Sequence, residues 1–325
     1  MSAQNTAVIP SAARAQANAG GLAGAYSASA RALYALAAVI GGVLVAGFWN
    51  AKLVDGFGRN IVASHTVGDT HALAGTFAVN GAAFGIVFAV VAGLAASFTA
   101  CNCVVFAMLP GLACGTEERA ARRRTALRAL GLFAAGVVLI GLIYGAFIGT
   151  LGRAGAAQLN NARLPQAEIV FTVLGAVLLI WGALEFGFLR TFTAPVPGEV
   201  RSFFTSPLTR AGLMGLLVGT FAVGRPYPVF RDLLTYAATS HNPLYGALVM
   251  GLQGLGQITV MVIVFALLVW GPGRRFTNWL AERPNQASLI TSIALIAGGS
   301  YFVYYWGLAL AFGIGQWGFK LGIYS

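Results

Sequence analysis

Two cysteines one residue apart, Cys101 and Cys103, flank Asn102 inside an apolar run, and Pro110 follows shortly after. Thiols at this spacing support two kinds of chemistry. A disulfide between residues two apart is strained and therefore readily reduced, which suits dithiol–disulfide exchange. The same pair of soft ligands also suits an ion such as Cu(I). A third reading needs no chemistry, because free cysteine is a small residue that packs well in apolar interiors. Cys114, near the end of the same run, is read in that way. Three cysteines confined to one short region do not make an extracellular disulfide framework.

A second constellation occupies residues 219–236, G-T-F-A-V-G-R-P-Y-P-V-F-R-D-L-L-T-Y. Pro226 and Pro228 each remove a backbone donor, which predicts a helix break at Tyr227. Arg225, Arg231 and Asp232 lie beside it. Charges within a membrane span are costly and are expected to face the protein interior and pair. Arg231 is assigned to Asp232 or to the neighbourhood of Glu185, while Arg225 has no evident local partner. Arg225 is read either as part of a structural ion pair or as a charge that binds an anion or activates a thiol. Gln253 and Gln257 share one helical face and are expected to satisfy backbone groups freed by the break. Cys101 and Cys103 are thus the candidate reactive residues. Asn102, Arg225, Pro226, Tyr227, Pro228, Gln253 and Gln257 are the expected lining of a central cavity, and Arg231–Asp232 is the expected charge pair. His65 and His71 flank Asp69, but with His241 they are read as solvated loop residues rather than a zinc site.

The elements that must hold these residues follow from composition. The chain has 325 residues, 58% hydrophobic and only 9% charged, against about 25% charged in soluble domains. Its mean hydropathy is +0.78, so it is read as a polytopic membrane protein. Hydropathy predicts spans at roughly 32–50, 77–112, 129–150, 169–189, 211–238, 244–270 and 287–313. The net charge of +11 is read as arginine-rich loops, not nucleic-acid binding. Five arginines between 119 and 128 dominate one side, which predicts the N-terminus inside and the C-terminus outside a bacterial cytoplasmic membrane. The glycines form no phosphate-binding loop, and nothing points to a hydrolase, a nucleotide site or a haem pocket.

The two broken spans also align. C-N-C-V-V-F at 101–106 matches R-P-Y-P-V-F at 225–230, so Cys101 faces Arg225, Asn102 faces Pro226 and Cys103 faces Tyr227. Three spans begin with each break. An odd number per unit forces opposite insertion, which is the plan of inverted-repeat transporters. The predicted fold is therefore all-α, with one extra N-terminal span and two inverted three-helix repeats whose first helices are broken. The divisions are a disordered cytoplasmic tail (1–30), the extra span and its outer loop (31–76), the first repeat (77–190), the second repeat (191–313) and an interfacial C-terminal segment (314–325).

Over 77–313 the chain resembles the CcdA family of cytochrome c biogenesis membrane proteins and the membrane domain of DsbD. The resemblance rests on S-F-T-A-C-N-C with L-P-G at 109–111, on P-Y-P-V-F-R-D-L-L-T-Y-A at 226–237, on S-H-N-P-L-Y-G-A-L at 240–248 and on G-L-G at 254–256. It implies electron shuttling by two cysteines from a cytoplasmic thioredoxin to outward-facing thiol proteins, with thioredoxin-like or c-type cytochrome maturation partners. The chain departs from that pattern where the second-repeat cysteine is Tyr227, so the inter-repeat disulfide of the family cannot form. The leading expectation is transfer of thiol–disulfide reducing equivalents by the Cys101-Asn102-Cys103 segment, without a bound cofactor. Two alternatives stand beside it: a transporter of a soft metal such as Cu(I) or of a sulfur-containing anion, and a non-catalytic membrane subunit that docks a partner complex.

Overall fold

The computed structural model describes residues 21–97, 119–189, 206–270, 279 and 282–324. Among these every regular element is helical. The long helices are α1 (Ala28–Gly47), α4 (Phe77–Ala96), α5 (Arg119–Asn161), α6 (Arg163–Phe186), α7 (Pro207–Gly224), α9 (Pro243–Trp270) and α10 (Pro284–Phe302). Shorter ones are α2 (Ala51–Gly56), α3 (Thr70–Leu73), α8 (Pro228–Thr239) and α11 (Trp317–Lys320). Among the described residues, six helices are long and apolar enough to cross a membrane. The pair α7–α8 adds a broken span bent by 84°.

Local chemistry places the helix ends. Ser27 caps α1 by accepting from the Ala30 amide at 3.2 Å. Asn242 Oδ1 accepts from the amides of Leu244 and Tyr245 and so caps α9. Prolines open α7, α8, α9 and α10, where their missing N–H has no intrahelical partner to lose. Gly187 ends α6 in a left-handed conformation. Gly152 bends α5 at φ +66°, a backbone geometry that residues with a Cβ rarely adopt. Large apolar side chains point outward along the spans, among them Leu33, Ile143, Ile169, Ile180 and Ile263. With backbone groups satisfied inside each helix, lipid is the solvent this surface fits.

α5 is the central helix of one group. It packs against α7, α8 and α9, while α4 packs against α8 and α9. A second group stacks α6 on α10 and α10 on α1. The two groups meet through the rings of Phe171, Phe221 and Phe302, with centroids 4.6–5.6 Å apart. At the far end of α1, Trp317 packs edge-on against Phe48, and the Tyr324 hydroxyl donates to the Phe48 carbonyl at 3.0 Å.

Two expectations meet the structure at this level. Residues 21–25, assigned to a disordered tail, form a short helix with Leu22 buried beside Phe186 and Ile296. The expected span 77–112 is described only as far as residue 97, so Cys101, Asn102, Cys103 and Cys114 lie outside the described residues.

Candidate functional site at the broken span

The predicted break is present. α7 stops at Gly224, Arg225–Tyr227 are extended, and α8 restarts at Pro228. A break leaves the last carbonyls of the first half-helix without intrahelical donors. Arg163, at the start of α6, supplies them. Its guanidinium donates to the carbonyls of Val223 and Arg225, donates to the Tyr144 hydroxyl at 3.3 Å, and lies 4.9 Å from the centre of the Phe230 ring. It is only 4% exposed. Gln253 and Gln257, expected to help satisfy the break, are buried within α9, where Gln253 donates to Gln257 at 3.2 Å.

Arg225 does have a partner, and it is remote in sequence. Asp55 on α2 accepts from its guanidinium in a part-buried ion pair. Tyr227 lies under the same guanidinium, 5.4 Å from ring centre to Cζ. It is buried, and its hydroxyl has no hydrogen-bond partner among the described residues. Three residues after Asp55, Gly58 lies against both the Ala95 carbonyl and the Tyr227 hydroxyl, and a Cβ there would collide with both. The α2 segment thus covers the break with one face. It continues as a π-helical turn, Phe57–Ala63, a form that often marks functional sites.

The expected Arg231–Asp232 pair is replaced. Asp232, 8% exposed, accepts from the Thr70 hydroxyl at 2.6 Å and lies 3.4 Å from His71 Nδ1, while Arg231 is exposed. α3 is thereby latched onto α8. Glu185 is not near Arg231 either, since it pairs with Arg210 at 2.5 Å and accepts from the Trp181 indole. His65 contacts the Asn60 carbonyl, and no cluster of three metal-ligating side chains occurs among the described residues.

Ser97, the last described residue before the cysteine segment, donates to the carbonyls of Gly256 at 3.1 Å and Gln257 at 2.7 Å. It fixes the end of α4 against α9, next to the buried glutamines. Sequence reasoning found Arg225, Pro226, Tyr227 and Pro228, but missed Asp55, Gly58 and Arg163. The signal for Arg163 was the break itself, whose orphan carbonyls demand a buried donor.

These features define a helical, membrane-type protein with a broken span and a part-buried ion pair at the break. No family model matches the chain, and no solved structure matches it. Over 175 residues, 52% of the chain, it is 28% identical to the methylamine utilization protein MauF of Methylorubrum extorquens. The match spans 56% of that relative, little more than half its length.

Proposed function

We propose that the chain is an integral membrane accessory protein of an amine-utilization system, as the name of its distant relative would have it, and that it carries thiol–disulfide reducing equivalents across the cytoplasmic membrane. Cys101 and Cys103 are its redox residues, supplied by a thioredoxin-like donor. The observation that carries this reading is the convergence on Gly58: the end of α4, six residues before Cys101, and the break at Tyr227 both contact it. The helix that precedes the first aligned stretch and the second aligned stretch itself thus share one contact. Part of the packing is reciprocal, which supports an inverted repeat. Exchanging α4, α5 and α6 for α7–α8, α9 and α10 maps the α5–α7 contact onto α9–α4, and maps α5–α9 and α6–α10 onto themselves. With Tyr227 in place of a second-repeat cysteine, exchange runs within Cys101–Cys103 or through a mixed disulfide with the partner thiol.

Thiol trapping in intact membranes tests this. Maleimide labelling of the pair is expected only after reduction, and Cys101→Ser is expected to leave Cys103 reactive without reductant. Thiols that label freely and are shielded by a soft metal would replace this reading with transport. Thiols indifferent to metal and reductant would leave a docking subunit.

A further inference from the structure

We propose that the break in the α7–α8 span is a binding site for a small carboxylate, held shut by residues 51–63, whose own Asp55 stands in for the ligand. The inference does not depend on the thiol chemistry proposed above. Three observations carry it. The first is the Asp55 carboxylate on Arg225, which shows what chemistry that guanidinium accepts at the break. The second is the Tyr227 hydroxyl, 1% exposed and without a hydrogen-bond partner among the described residues. Burying a donor in that state is costly, so the closed arrangement leaves an unused donor beside an occupied one. The third is the sign of the field. Beside Arg225 and Asp55, the guanidinium of Arg59 adds a second positive charge to the surroundings of Tyr227.

The covering segment meets the break through one face. Asp55 and Gly58 are three residues apart and share one face, and Gly58 fits only because it lacks a side chain. In the closed state Gly58 lies over the Tyr227 hydroxyl and leaves no room for a ligand there. A carboxylate that enters takes the Asp55 position on Arg225 and accepts from the Tyr227 hydroxyl, which releases residues 51–63.

Hydrogen–deuterium exchange on the detergent-solubilised full chain tests the proposal, with acetate as the probe and chloride at equal ionic strength as the control. Acetate is expected to speed exchange of the 51–63 amides by about fivefold or more, saturably, and to leave those of 243–267 unchanged. Tyr227→Phe is expected to abolish the acetate response while leaving thermal stability unchanged or raised, because its hydroxyl bonds nothing when the lid is closed. Asp55→Asn is expected to lower Tm and to regain stability in acetate but not in chloride. If Asp55→Asn does not yield folded protein, the comparison of wild type with Tyr227→Phe decides alone. Equal responses to acetate and chloride would overturn the proposal, as would an acetate response that survives Tyr227→Phe.

Discussion

Arg163 shows how a single side chain can make a broken helix stable. Its donors meet the Val223 and Arg225 carbonyls that the break leaves without helical amides, and the Phe230 and Tyr144 rings receive the rest of the charge. Arg163→Met would leave two buried carbonyls unmet at about 1–3 kcal/mol each. A lower Tm in detergent and new protease cleavage near residue 225 are the expected results, and an unchanged Tm would refute the assignment. Arg163→Lys should recover only part of the loss, because an ammonium lacks the planar fork that reaches two carbonyls at once. At this scale the sequence showed where polar groups would be freed but not what would meet them. Proline announces a break locally, whereas Asp55 lies 170 residues from Arg225 and Asp232 lies 162 from Thr70. Adjacency along the chain suggested Arg231 for Asp232, yet the two successive residues on α8 point to different surroundings.

Among the elements, α5 and α9 approach most closely where Gly145 meets Gly246 backbone to backbone. Without a hydrophobic drive between helices in lipid, such small-residue contacts supply the packing. Gly246→Val would push the helices apart, and loss of the monodisperse peak in size-exclusion chromatography is the expected readout. Gly131→Ala, also on α5 but with nothing within 4 Å of the added carbon, should be neutral or stabilising by up to about 1 kcal/mol. If both variants behaved alike, packing at the α5–α9 crossing would not be what holds the bundle. The spans themselves were legible, because hydropathy and length report directly on burial in lipid. The break was legible from its prolines. The covering segment 51–63 was not, since a charged stretch with Lys52, Asp55 and Arg59 reads as an ordinary outer loop. Only its contacts with Ala95, Arg225 and Tyr227 show that it enters the bundle.

For the whole molecule, orientation is a prediction of arginine placement. A reporter active only in the cytoplasm should work when fused before α1 and fail when fused after residue 325. Replacing the five arginines between 119 and 128 with glutamine should produce chains of mixed orientation. A C-terminal reporter that works in the unmodified chain would reverse the assignment. The pairing of α1 has a different consequence, for the order of assembly. α1 packs mainly on α10, and its far end is closed by Trp317 and Tyr324. At ordinary rates of translation, on the order of tens of seconds pass between synthesis of α1 and arrival of that partner. Throughout that interval α1 lacks its main packing partner, and the Arg31 bond to the Phe186 carbonyl ties its start to the end of α6. A ribosome that stalls before α10 therefore leaves most of α1 facing lipid where the finished chain would cover it.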